Sequence, residues 1–200
     1  MKILYVEDEL SQNIPRIIQL FGRYLGEERI QLLERLEHDA SGYGASPEDI
    51  KSLVDATHVV EVEFHFPDAL RKILFQHEQY DLFIIDRNLS QSEYTTEEIR
   101  RIEPDYNEQL RQDYAEREGD YLFLKLGICS HGEALKKVRF LTAYSNQDEF
   151  RRRKEIVPLV KCWRSQIKDF FEKGDPDAIK HLHNDVVNIP QYRAKKERRS

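Results

Sequence analysis

Five chemistry-bearing side chains stand at the ends of short apolar runs. Glu7 and Asp8 follow Ile3-Leu4-Tyr5-Val6, and Asp86 follows Leu82-Phe83-Ile84-Ile85. Thr142 closes the run that starts at Val138, and Lys173 closes Ile167-Lys168-Asp169-Phe170-Phe171-Glu172. Three carboxylates brought together repel one another unless a cation neutralises them. Hard divalent ions such as Mg²⁺ take oxygen ligands and keep several waters, so Glu7, Asp8 and Asp86 predict a Mg²⁺ site. A lysine and a hydroxyl on neighbouring strands could then hold the oxygens of a phosphoryl group. With the metal they would offset charge that develops as the group transfers. A carboxylate so placed can itself be the nucleophile, giving an aspartyl phosphate.

The elements that must position these groups read as alternating strands and helices. Leu82-Phe83-Ile84-Ile85 is apolar without alternation, the pattern of a strand buried on both faces of a parallel sheet. Asp86 sits where that strand leaves the core, and ligands of open α/β sheets bind at the carboxyl ends of the strands. Ile3–Val6 and Val59–Phe64 predict two further strands, Val138–Ala143 a fourth, and Ile167–Lys173 a last one ending in the lysine. Ser11-Gln12-Asn13 can cap a helix whose apolar positions run from Ile14 to Leu25 and resume from Ile30 to Leu36. This predicts one long helix or two joined near Gly26. Ser41-Gly42-Tyr43-Gly44 breaks the pattern. Ser46-Pro47-Glu48-Asp49 reads as an N-cap, a proline at the first helical position and acids in the first turn. Pro67 opens the next helix, with Leu70, Ile73 and Leu74 buried.

Residues 90–118 are polar, charge-dense and poor in aliphatics, which predicts a solvated insertion or partly mobile lobe ahead of a dedicated binding surface, with Thr96-Glu97-Glu98-Ile99 able to start a helix. Gly119-Asp120 opens a helix carrying Leu122, Phe123 and Leu126, with Leu135 as its furthest candidate. A charged helix is expected from Asp148 through Arg153, bent or ended by Pro158, before an ill-patterned stretch through Trp163. Asp175-Pro176 starts a final helix with Ile179, Leu182 and Val186 on one face, and Pro190 is expected to end it. The fold class is therefore α/β, a doubly wound five-stranded parallel sheet with helices on both faces and helical insertions. One domain spans 1–189, with an extra helical segment at about 26–57, and residues 190–200 form a basic tail.

Composition bounds the function. The 200 residues are 40% hydrophobic and 34% charged, enough for one generous core under a charged surface. A net charge of -6 argues against a general nucleic-acid coat. Cys129 and Cys162 lie far apart and form no metal or redox motif, which fits a reducing compartment. His181 and His183 point to different helix faces, against a shared metal. Only four apolar residues separate Lys2 from Glu7, so no signal peptide is read, and no run approaches membrane-spanning length. The expectation is a soluble cytoplasmic protein without membrane contact.

The order and context of these pieces resemble the receiver domain of two-component response regulators. The resemblance rests on Ile3–Glu9, Tyr80–Leu89, Gly119-Asp120-Tyr121-Leu122, Leu141-Thr142-Ala143-Tyr144-Ser145 and Asp169–Lys173. It implies a flavodoxin-like fold, Asp86 as phosphoacceptor, Asp8 as a direct Mg²⁺ ligand and Glu7 as one acting through water. It also implies that Asn88 offers its backbone carbonyl to the metal, that Thr142 bonds the phosphoryl group and shifts toward it, and that Lys173 pairs with it. Phe170 matches the aromatic whose rotamer follows the threonine, with Phe171 the alternative if the register is off by one. The implied partners are a histidine kinase or histidine phosphotransfer protein and an unnamed downstream protein. Output would run through a protein contact, a homodimer or a phosphate relay. The only catalysis implied is self-phosphorylation and slow dephosphorylation at Asp86.

Four features depart from the family pattern. Gly174 and Ser90 stand where prolines are usual, and the crossover after the first strand and the loop after Asp86 are enlarged. They keep open a phosphorylation-independent pseudo-receiver that binds partners through its insertions. A Mg²⁺-dependent phosphatase or nuclease is a weaker alternative, because Asp86-Arg87-Asn88 lacks the second acid of an Asp-x-Asp pair.

Overall fold

The computed structural model describes residues 1–38, 45–143, 150, 154, 156 and 170–197, with backbone alone for 189–197. The apolar runs form strands β1 (Ile3–Val6), β2 (Val60–Glu63), β3 (Leu82–Ile85), β4 (Val138–Thr142) and β5 (Phe170–Glu172). They make one five-stranded sheet in the order β2-β1-β3-β4-β5. Every neighbouring pair is parallel. The helices are α1 (Ile14–Leu25), α2 (Glu27–His38), α3 (Pro47–Asp55), α4 (Phe66–Gln76), α5 (Thr96–Arg100), α6 (Glu108–Asp113), α7 (Glu118–Cys129) and α8 (Pro176–Glu197). This is the doubly wound α/β architecture expected from the strand pattern, and its strand order is flavodoxin-like.

Strand alternation divides the core into two clusters. Leu4, Val6, Phe83, Ile85, Val138 and Phe140 pack with residues of α4 and α7. Ile3, Tyr5, Leu82, Ile84, Leu141 and Phe171 pack with residues of α1, α2, α3 and α8. Both faces being covered explains why β1 and β3 read as unbroken apolar runs.

Local signals hold at several points. Gly26 takes φ 75, a left-handed conformation that glycine adopts without strain, so α1 and α2 are two helices. Ser46 accepts the Glu48 N–H and Pro47 fills the first turn of α3. Ser11 and Asn13 behave differently. Ser11 lies in a short 3-10 turn and donates to the Ala45 carbonyl at 2.5 Å. Asn13 precedes α1, but its amide donates to the Glu9 carbonyl at 2.8 Å instead of capping. Leu135 belongs to a 3-10 turn over Glu133–Lys137, outside α7.

The segment 90–118 corrects the expectation of a solvated insertion. Thr95 and Glu98 form a reciprocal cap on α5, and Asn107 accepts the Leu110 N–H to cap α6. Ile99, Tyr106 and Tyr114 are buried in the cluster formed with α4 and α7. Tyr106 and Tyr114 meet Tyr121 of α7 edge-on at 5.4 and 5.0 Å, and Tyr94 lies 4.8 Å from Phe66. The anchors are tyrosines, whose apolar bodies pack while their hydroxyls keep the segment polar in composition. A count of aliphatics therefore underrates it.

Pro190 does not end α8, which continues to Glu197. Proline has no N–H for the carbonyl four residues back, here that of Val186. The Tyr24 hydroxyl of α1 donates to that carbonyl at 3.2 Å, which satisfies the acceptor. The expected Ser41–Gly44 break, the charged helix around Asp148–Arg153 apart from buried Phe150, and Pro158, Cys162 and Trp163 lie outside the described residues, as does the start of the last strand over Ile167–Asp169. No described helix is long and apolar enough to cross a membrane.

The Tyr24–Val186 bond gives a test. Tyr24→Phe should lower the free energy of unfolding by about 1 kcal/mol in urea. In a Pro190→Ala background, where residue 190 regains its N–H, that loss should shrink to less than half. Equal losses in both backgrounds would show that the hydroxyl does not stand in for the missing donor.

Candidate functional site

The sheet brings Glu7, Asp8, Asp86 and Lys173 to one edge. Glu7 and Asp8 follow β1, Asp86 follows β3, and the two strands are parallel neighbours in register from Ile3↔Leu82 to Val6↔Ile85. Their next residues are thus delivered side by side. The Asp86 N–H continues the ladder to the Val6 carbonyl at 2.9 Å, and the Glu7 N–H reaches the Glu63 carbonyl at 3.0 Å. Lys173 arrives from the far side of β4, its N–H bonded to the Thr142 carbonyl at 3.0 Å. Arg16 of α1 donates to the Lys173 carbonyl at 3.3 Å.

The Lys173 ammonium lies 2.8 Å from Glu7 Oε2 and 2.5 Å from Asp86 Oδ2. Glu7 is fully buried and the Asp86 side chain is 5% exposed, so this pair of contacts is shielded from solvent. Glu7 also accepts the Glu9 N–H at 3.3 Å and the Tyr5 hydroxyl at 3.4 Å. Asp86 Oδ1 accepts the Asn88 N–H at 3.2 Å. Asp8 Oδ2 accepts the Gln91 N–H at 2.5 Å, while Asp8 Oδ1 is buried with no hydrogen-bond partner.

The charges are unbalanced. Three carboxylates face one ammonium. Burial, with the Asp86 charge second, pushes Glu7 up to about 7, although Lys173 opposes the shift. Burial pushes Asp8 up to about 6, with the Gln91 N–H opposing it and the Glu7 charge adding to it. Asp86 is also raised by burial, against the pull of Lys173. Burial works against the Lys173 charge, but Glu7 and Asp86 outweigh it and hold the ammonium above its ordinary value.

Oxygen atoms of Glu7, Asp8 and Asp86 all lie within 4.8 Å of one another. The donor set is hard and anionic, and the Asp8 Oδ1 atom is orphaned. Both features fit a divalent cation such as Mg²⁺. Thr142 is buried at the end of β4, at the same edge. Asn88 presents its N–H to Asp86, and its side-chain oxygen accepts the Ser90 N–H at 3.0 Å. Phe170 and Phe171 fall on opposite faces. Phe171 is in the core with α1 and α8, and Phe170 stacks on Phe140 at 5.0 Å.

Three supporting residues did not stand out in the sequence. Arg87 forms a buried two-pronged ion pair with Asp120, at 2.8 and 2.9 Å. Glu118 accepts the Leu89 N–H at 3.4 Å and the Tyr94 hydroxyl at 3.3 Å. The first turn of α7 thus braces the loop after Asp86. An arginine next to the strand-end Asp86, with acids flanking Gly119, was the available signal. Gly119 itself is required: a Cβ there would come within 2.0 Å of the Asp86 carbonyl oxygen.

Two outcomes follow for metal-free protein. Gly119→Ala should lower stability by about 1–3 kcal/mol in chemical unfolding, because the clash is with backbone. The second outcome concerns pH. A raised folded pKa stabilises the fold below the unfolded pKa, about 4.3 for Glu and 3.9 for Asp, and that stability is lost as pH rises through the folded pKa. With Glu7 at about 7 and Asp8 at about 6, the Tm in chelator should fall between pH 5 and pH 8. Asp8→Asn should flatten that slope, and an unchanged slope would contradict the assignment. No family model matches the chain, and neither a curated protein nor a solved structure matches it.

Proposed function

We propose that this chain is a response-regulator receiver that accepts a phosphoryl group on Asp86. The observation that carries the reading is the site itself: a strand-end aspartate flanked by two further acids, one with an orphaned buried oxygen, and facing a buried lysine. Asp86 presents a carboxylate whose Oδ1 is oriented by the Asn88 N–H. One of its oxygens attacks phosphorus, an O–P bond forms, and the P–N bond to the donor imidazole breaks with the electron pair staying on the ring nitrogen. Lys173 then exchanges its contact with the free carboxylate for one with the transferred phosphoryl oxygens. Thr142, at the neighbouring strand end, supplies a hydroxyl to the same group. Asp8 and Asp86, with the Asn88 carbonyl, would hold Mg²⁺ and Glu7 would act through water; the ion would supply positive charge that offsets the phosphoryl oxygens. The donor is a phosphohistidine on a histidine kinase or phosphotransfer protein, and the output is a protein contact.

A second reading is favoured by the contacts within the site. The Gln91 N–H already occupies Asp8 Oδ2, and Lys173 already fills the space between Glu7 and Asp86. A site closed in this way suits a phosphorylation-independent interaction module.

Incubation with Mg²⁺ and acetyl phosphate, read by intact mass, separates the two. The receiver reading expects a labile phosphate adduct on the wild type that is lost in Asp86→Asn and in chelator. A folded wild type that takes no phosphate and binds no Mg²⁺ would leave the interaction module standing.

A further inference from the structure

Arg87 follows the phosphoacceptor directly and is only 6% exposed, while Asp120 is fully buried. Taking two charges out of water is costly, and an apolar pair of similar volume would avoid that cost. The geometry around Arg87 indicates what the pair does. The Arg87 carbonyl accepts the Gly119 N–H at 3.1 Å, and its guanidinium grips Asp120, the next residue of α7. Main chain and side chain are thus clamped to the same helical turn. That turn also holds the Leu89 N–H through Glu118.

The other side of the guanidinium meets aromatic rings. Its carbon lies 5.4 Å from the Phe150 ring and 5.9 Å from the Phe170 ring. Phe150 meets Phe170 edge-on at 5.4 Å, and both rings pack on Phe140 of β4. Phe170 lies on β5, three residues before Lys173. One side chain on the loop that carries Asp86 therefore touches both the helix that braces it and the strand that delivers the lysine.

We propose that Arg87, latched to Asp120, is a positioning residue that holds the Asp86 carboxylate in line with its phosphodonor and ties that position to the Phe170 ring. The inference rests on the receiver reading. The fork is essential to it: two parallel N–H···O bonds fix the plane of the guanidinium, and that plane sets both the loop and the face offered to the rings. Lysine would keep the charge and lose the plane.

The test uses the full chain. Arg87→Lys, Arg87→Met and Asp120→Asn are labelled with acetyl phosphate over a Mg²⁺ series, well below each variant's Tm. Arg87→Lys is the mild variant should Arg87→Met fail to fold. The maximal labelling rate should fall roughly 10-fold or more in the folded variants, as a misplaced reacting group requires. Asp86 is itself one of the acids assigned to the metal, so the variants are compared by the rate reached at saturating Mg²⁺. A purely structural pair would lower Tm and leave the maximal rate unchanged, which would overturn the inference while the receiver reading stands. A wild type that takes no label would overturn both.

Discussion

One ammonium among buried carboxylates is the constraint on which the rest of this structure depends. Lys173 lies within ion-pair distance of Glu7 and Asp86, and the three side chains are 10%, 0% and 5% exposed. An isolated carboxylate at such depth would be costly, and neutralisation by protonation is the usual escape. Here one cation serves two acids and leaves the third, Asp8, to a single backbone N–H and an orphaned oxygen. The parallel sheet makes the arrangement possible by sending every strand end to one edge, and β4 separates the acids from the lysine by one strand's width. The fold thus carries a charge deficit at its edge that a divalent cation is suited to correct.

Around that edge the enlarged crossover after β3 works as a scaffold. Ser92 accepts the Phe66 N–H at 2.8 Å and so caps α4 from 26 residues away. Leu89 is buried, Tyr94 packs on Phe66, and Gln91 is thereby left with its N–H aimed at Asp8. The loop that closes over the acids is built from the same segment whose tyrosines fill the space beside α7. Site and insertion are one packed unit.

Much of the sheet was legible in the chain itself. Runs such as Leu82-Phe83-Ile84-Ile85 carry no polar alternation because both faces are covered, and the strand order follows from simple crossovers. The gathering of Glu7, Asp8, Asp86 and Lys173 was legible because each follows a strand. What could not be seen were interactions between distant residues of ordinary type. Arg87 and Asp120 are 33 positions apart, and neither is unusual alone. The packing of 90–118 rests on tyrosines that composition scores as half polar. Pro190 looked like a terminus because the Tyr24 hydroxyl that relieves it comes from another helix.

The contact between Glu7 and Lys173 joins residues 166 positions apart. The acids belong to the first and third strands of the chain and the cation follows the fifth. During synthesis the carboxylates therefore emerge long before the lysine, and the edge they form stays acid-rich and uncompensated until β5 docks on β4. Pairing over such separations is slow, because the closure entropy of the intervening chain must be met before any contact forms. Arrival of the lysine and completion of the sheet are one event, so the site is assembled only once the sheet is.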